Sequence, residues 1–216
     1  EEVNLAMKCC LDEMKEAGAE VIDVDQPFDA NHVVSEVSVH LHTLRDDLEG
    51  YLDGLGAKTA YRTLEELADS GEVHPGIVDN LRRAASLGRD GDEYRRRTIR
   101  RLVLRTRIVK LMADLLLDAL VYPHQKRLVV PVGEPQTERN GALASAAGFP
   151  AITLPGGFSR PTGDAPVGVP IGIEFMGRPW SEGNLISIAY AFEQRTLFRR
   201  TPPFVPPLPR RGPFEL

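Results

Sequence analysis

The chain has 216 residues and a formal net charge of −5, with 26 lysines and arginines against 31 aspartates and glutamates. That length supports one sizeable core or a large piece of a bigger one, and the charge gives no reason to expect nucleic acid or an anionic membrane as partner. The most apolar stretch, residues 111–122, is broken by Asp114 and Asp118 and is too short to span a bilayer.

Residues 3–17 read as a helix with Leu5, Cys9, Leu11 and Met14 on its apolar face and Gly18 as its stop. Cys9 and Cys10 are neighbours that point in different directions on a helix. A disulfide between them would be strained, so they are expected as reduced thiols of a cytoplasmic protein. No secretory signal pattern is visible. Residues 19–24 alternate toward a short strand ended by Pro27. A helix leading into a strand is the second half of a βαβ unit, so a preceding strand is expected outside this chain.

Val34, Val37, Leu41, Leu44, Leu48, Tyr51 and Leu55 fall at alternating three- and four-residue steps, the seam of one long helix. Thr63 and Glu66 form a capping-box pattern for a short helix closed by Gly71. Another short helix follows Pro75 and ends near Gly88. A long one covers residues 93–117, with Ile99, Leu102, Val103, Val109, Ala113, Leu116 and Leu117 as its apolar face.

The pattern then changes. Residues 119–122 read as a buried strand stopped by Pro123, and residues 138–147 as a small-residue helix stopped by Gly148. Residues 151–154 and 170–176 read as two more strands, the first stopped by Pro155. Ser181 is placed to cap a last helix with Leu185, Ile188, Ala189 and Phe192 inward. The proline-rich tail from Thr201 is expected to lie extended along its own protein, the alternative being a ligand for a proline-reading domain. Short strands alternating with helices imply an α/β fold, with a helical insertion at 29–117 and an α/β core at 118–204.

The strongest motif is turn chemistry. Gly148-Phe149-Pro150-Ala151-Ile152-Thr153-Leu154-Pro155-Gly156-Gly157-Phe158 is followed by Gly168-Val169-Pro170-Ile171-Gly172-Ile173-Glu174-Phe175-Met176-Gly177-Arg178-Pro179. Glycines let two strands approach closely and prolines fix the turns between them. A helix with Ala189-Tyr190-Ala191-Phe192-Glu193-Gln194 comes next. These runs closely resemble the C-terminal region of amidase-signature enzymes. Asp118 to Pro123, Asn140 and the opening Gly18-Ala19-Glu20-Val21 also fit that family, whereas the middle helices match only in type.

The resemblance implies that residues 1–216 are the C-terminal portion of a single amidase-signature domain, with a mixed sheet flanked by helices. It also implies carbon–nitrogen bond hydrolysis of a small-molecule amide. The family uses a serine nucleophile, a second serine and a lysine, with an oxyanion hole in a glycine-serine loop. Here Ser35, Ser38, Ser70, Ser86, Ser145, Ser159, Ser181 and Ser187 include no adjacent pair and none lies in such a loop. Lys8, Lys15, Lys58, Lys110 and Lys126 match no family lysine. No catalytic residue is therefore assigned, and the triad is expected in a missing N-terminal portion or a partner chain.

What this portion is expected to supply is structural core and a wall of the substrate pocket. His124 and Gln125 follow Pro123 at a strand end, where ligands of open α/β sheets gather, and they are the candidate substrate-binding residues. A solvated loop is the alternative for them. Phe175, Met176 and Trp180 are candidates for a pocket floor or for ordinary packing. No cofactor and no metal is expected: His40 and His42 point to different faces of a helix, and Glu36 with His40 makes only two ligands. The arginines from Arg95 to Arg107 read as a solvated helix face. Two alternatives to the hydrolase stay open: a non-catalytic α/β module packed on a partner, and a subunit resembling a tRNA-dependent amidotransferase.

Overall fold

The computed structural model describes residues 1–24, 28–203 and 205–206. Its helices are α1 (Glu2–Glu16), α2 (Ala30–Val37), α3 (His40–Leu55), α4 (Leu64–Asp69), α5 (Pro75–Ala85), α6 (Asp92–Asp114), α7 (Ala142–Ala147) and α8 (Glu182–Thr196). Its strands are β1 (Leu120–Pro123), β2 (Ala151–Phe158) and β3 (Pro170–Met176), in the order β1-β3-β2 with antiparallel pairing throughout. The expected α/β fold is present. Pro27, Phe204 and most of the proline-rich tail lie outside the described residues.

Side chains alternate across β3, and its two faces serve different cores. Ile173 and Phe175 join Leu154, Cys10 of α1, and Leu185, Ala189 and Phe192 of α8. Met176 joins Leu120 and Phe149 with α2, α6 and α7, through Ala30, Val37, Leu104, Ile108, Met112, Leu143, Ala144 and Ala147. A third cluster, Leu64, Ala68, Leu81, Ala84 and Ala85, holds α3, α4 and α5 together. Each fully buried Ile, Leu or Phe in these clusters contributes roughly 1.5–3 kcal/mol relative to exposure.

Several expectations are corrected. The long seam is two helices, because Ser38 is extended and Val39 starts a new helix. Arg97 donates to the Ser35 and Ser38 carbonyls at 2.6 and 3.1 Å, taking acceptors a continuous helix would use. The seam continues across the break because both halves bury one face, α2 on α6 and α7, α3 on α4 and α5. In α6 the buried stripe is Leu104, Ile108 and Met112, whereas Ile99 is 62% exposed and Leu102, Val103 and Val109 are also exposed; the helix ends at Asp114, so Leu116, also exposed, lies past it. This helix carries two apolar stripes, and the packed one is the one that faces α2 and α7. On α1 the buried residues are Val3 and Cys10, with Leu5 and Cys9 exposed.

Residues 21–24 form no strand. A strand needs a partner, and a gap of about 630 Å³ separates Val21 to Val24 from β1, lined also by Leu117, Asp118 and Phe175. β2 continues past Pro155 to Phe158, with a register shift between Pro155 and Gly157. It is an edge strand among the described residues, where a missing proline N–H leaves no ladder bond unmade. At Gly156 the helix α1 comes close: a Cβ would sit 3.2 Å from the Cys10 sulfur, whose thiol donates to the Gly156 carbonyl at 3.2 Å. α7 is shorter than expected because the Asn140 and Gly141 N–H groups turn to the His124 carbonyl. Ser181 sits at the N-cap of α8 without capping it through its side chain, which donates to the Arg178 carbonyl instead.

Candidate functional site

The alternation that puts Ile173 and Phe175 on one face of β3 puts Glu174 on the other. Its register partners are Tyr122 on β1 and Thr153 on β2, so all three side chains share a face. His124, one residue past β1, keeps the pairing going by donating its N–H to the Gly172 carbonyl at 2.9 Å. Leu120, Tyr122 and His124 therefore alternate onto the same side.

The result is a buried carboxyl group with three polar partners. Tyr122 donates its hydroxyl to Glu174 Oε1 at 2.8 Å. Thr153 donates to Oε2 at 3.2 Å, and His124 Nδ1 lies 2.5 Å from the same oxygen. The Glu174 side chain is 4% exposed and that of His124 is 38% exposed. A buried carboxylate without partners is costly, and donors on both oxygens are what make this one tolerable. Burial, reinforced by the Glu174 charge and hydrogen bond, pushes the Tyr122 phenol far above its usual range and keeps it a neutral donor.

The His124 backbone is also held. Asn140 and Gly141 donate to its carbonyl at 3.0 and 3.1 Å, and the Asn140 amide donates to the Pro123 carbonyl at 3.0 Å. The ring lies against Gly141: a Cβ there would come within 2.9 Å of Nε2 and closer still to Nδ1 and Cε1. Glycine at 141 is thus the condition for the imidazole to reach Glu174.

The structure separates the two candidate substrate-binding residues. His124 enters the polar cluster. Gln125, the next residue of an extended chain, turns away and bridges to Arg139, and its Oε1 is buried without a hydrogen bond among the described residues. Lys126 N–H donates to the Glu138 carbonyl at 2.9 Å, closing the neck of the loop that follows. Tyr122, Pro123, Lys126 and Asn140, with Phe28 and Asp29, line a cleft of about 580 Å³, and neither His124 nor Gln125 is among its walls. Phe175 and Met176 are core residues, whereas Trp180 is 93% exposed.

Sequence reasoning does not single out Glu174, Tyr122 and Thr153. The available signal is Glu174 itself, a charge inside an otherwise apolar strand. On α6, Arg95, Arg96, Arg97 and Arg100 pair with Asp92, Glu93 and Glu36, as a solvated face would. Among the described residues no three of His, Cys, Asp and Glu gather in a metal-holding group, and no helix is long and apolar enough to cross a membrane. Cys9 and Cys10 are free thiols, and burial pushes Cys10 up to about 12, leaving it neutral and unreactive.

Comparison with known proteins gives this geometry a family. A glutamyl-tRNA(Gln) amidotransferase subunit of Ruegeria sp. (strain TM1040) is 26% identical over 222 residues, covering 88% of this chain and 41% of the relative. A probable amidase of Arabidopsis thaliana is 42% identical over 64 residues, which is 30% of this chain and 11% of that protein. The crystal structure of PAM12A matches with a TM-score of 0.75 at 28% identity, over 94% of this chain and 42% of that one. The chain thus spans less than half the length of the proteins it matches along most of its own. The family model described as Amidase matches residues 1–186, and the chain belongs to the amidase family.

Proposed function

We propose that this chain is part of an amide-bond hydrolase, supplying structural core and one wall of the substrate pocket, while a Ser-Ser-Lys triad lies outside it. The observation that carries this reading is the family match over residues 1–186 in a sequence with no adjacent serine pair. On this reading residues 1–216 are the C-terminal portion of one amidase-signature domain, with 29–117 as a helical insertion and 118–204 as the α/β core. The rest of the enzyme, as an N-terminal portion or a partner chain, docks where β1 is an edge strand among the described residues. The gap of about 630 Å³ between β1 and the unpaired residues 21–24 supports a strand inserted there. The free thiols Cys9 and Cys10 support a reducing, cytoplasmic setting.

On this reading His124, and Gln125 from the opposite side of the chain, border the substrate once that portion is docked, and they tune which small-molecule amide is taken without entering the chemical step. Losing one such contact costs about 0.5–1.5 kcal/mol. In the full-length enzyme, His124→Ala and Gln125→Ala should raise KM for some amides, reorder their ranking and leave the acyl-enzyme burst intact. A uniform loss of kcat across all amides would contradict that role. A second reading, as one subunit of a tRNA-dependent amidotransferase, is favoured by the name of the Ruegeria relative. Amide hydrolysis by the full-length protein without any tRNA separates the two.

A further inference from the structure

The helix α6 carries a second apolar ridge, which no described residue covers. Its inner ridge, Leu104, Ile108 and Met112, packs with Leu120 and Met176 of the sheet and with α2 and α7. At about 100° per residue, the opposite side of the helix holds Ile99, Leu102, Thr106, Val109 and Ala113. All five are exposed, and Ile99 and Leu102 are each more than half exposed. The steps between them are three, four, three and four residues, the spacing by which one helix packs along another. A surface helix ordinarily turns a polar face outward, so a ridge of this spacing on that face calls for a second neighbour.

Charge narrows what the neighbour is. From Arg95 to Lys110 the helix holds eight cations and no carboxylate. The whole helix carries +5 inside a chain whose total is −5. Arg96 and Lys110 flank the ridge on one side and Arg105 on the other, the positions that set partner choice between packed helices. Asp92, Glu93 and Asp114, at the two ends of α6, pair with Arg95, Arg96, Arg97 and Lys110 and are already counted in that sum. Among the described residues Arg100 alone reaches a carboxylate outside the helix, Glu36 at 2.8 Å. A second copy on this ridge would set one +5 helix against another, and such like-charge contact specifies against self-pairing. An anionic bilayer would attract the arginines, but the ridge has no Trp, Tyr or Phe to seat it in an interface. The missing part of the enzyme joins the sheet, which the inner ridge faces; the outer ridge lies on the far side of α6 from that sheet.

We infer that the outer ridge of α6 is a docking surface for an amphipathic helix of a separate protein chain, apolar along its own ridge and flanked by glutamates. Ile99, Leu102 and Val109 interdigitate with that ridge, and Arg96, Arg105 and Lys110 face the glutamates. The inference goes beyond amide hydrolysis and does not depend on it.

The test is methyl NMR of the full-length protein labelled at isoleucine, leucine and valine, with the ridge signals assigned by Ile99→Ala, Leu102→Ala and Val109→Ala. The probe is a synthetic helical peptide with leucine along its ridge and glutamate at the flanking positions. Its control has lysine in place of every glutamate. The glutamate peptide should shift the methyls of Ile99, Leu102, Val103 and Val109 most, and those of buried Leu104 and Ile108 least. The lysine peptide should bind at least about tenfold more weakly. Raising salt from about 0.1 to 1 M, which shortens the Debye length from about 10 to 3 Å, should weaken the glutamate peptide and narrow that gap. Neither comparison needs a variant to fold. Leu102→Glu, at an exposed position, should weaken the glutamate peptide by about tenfold or more. The inference is overturned if neither peptide binds, if both bind equally, if the largest shifts lie away from α6, or if Leu102→Glu changes nothing. It is equally overturned by self-association that Leu102→Glu abolishes, which would put a second copy on the ridge. Sedimentation with phosphatidylserine vesicles that Leu102→Glu abolishes would put a membrane there and overturn it too. Ridge methyls shielded from a soluble paramagnetic reagent in the free full-length protein would mean that its own N-terminal portion covers them, and would overturn it as well.

Discussion

Replacing Gly141 by alanine tests the seating of His124 directly. The Gly141 φ of −57° suits any residue, so the backbone does not object to a side chain. What objects is the ring: the new Cβ would lie 2.9 Å from Nε2 and closer to Nδ1 and Cε1, against the 3.5–4.0 Å of ordinary carbon contact. The ring must move by roughly 1 Å or more, and the 2.5 Å bond to Glu174 then breaks. A hydrogen bond to a charged group contributes about 1.5–3 kcal/mol, and Gly141→Ala should destabilise the chain by that amount. In a His124→Ala background the obstruction is gone, and the same substitution should be neutral or stabilising by about 0.4–1 kcal/mol through the unfolded state. Urea denaturation of the four proteins of this cycle reads the sign reversal as a coupling energy. Equal effects of Gly141→Ala in both backgrounds would mean that the imidazole is not seated against Gly141.

Ile108→Ala should cost about 2–5 kcal/mol, since Ile108 is fully buried, whereas Leu102→Ala on the exposed stripe of α6 should stay within about 0.5 kcal/mol; equal costs would mean the helix is rotated. Thr63→Ala removes a capping box in which Thr63 accepts from the Glu66 N–H at 3.1 Å, and a loss of about 0.5–2 kcal/mol should appear as a lowered urea midpoint. Cys10 has its pKa raised from 9.0 to about 12 by burial, so the folded state binds more protons than the unfolded one between those values. Its contribution is fully present below pH 9 and is lost as pH rises toward 12, by at most about 1.4 kcal/mol per pH unit. Thermal melts across that range should fall less steeply for Cys10→Ser, and parallel curves would refute the assignment.

What is legible in the sequence is what local chemistry decides. Pro170 and Gly177 punctuate β3, and its bounds match the expectation; Thr63 and Glu66 cap α4 as their spacing implies. What is not legible depends on partners. The face of α6 is undecided by periodicity when Ile99, Leu102 and Val103 are as apolar as Leu104, Ile108 and Met112. The break at Ser38 is invisible to a seam that both α2 and α3 continue. Residues 19–24 carry a strand pattern, but pattern without a neighbouring strand gives no ladder. The polar cluster is hidden for a related reason: Glu174 lies 52, 50 and 21 positions from Tyr122, His124 and Thr153, and only the register of β1-β3-β2 brings them together. His124 is legible because a strand end is a rule of α/β sheets. Its neighbour Gln125 follows the same rule and turns the other way.

The central claim is that this chain contributes core and pocket wall to an amide hydrolase and holds no nucleophile of its own. The most direct measurement is turnover of aliphatic and aryl amides by the purified 216-residue chain, read beside labelling by a serine-directed phosphonate. Without a nucleophile, a lysine relay and an oxyanion loop, where one oxyanion donor alone is worth on the order of 100-fold, the account predicts no turnover above background and no labelled serine. Robust hydrolysis that disappears when one of the chain's own serines is replaced by alanine would contradict it.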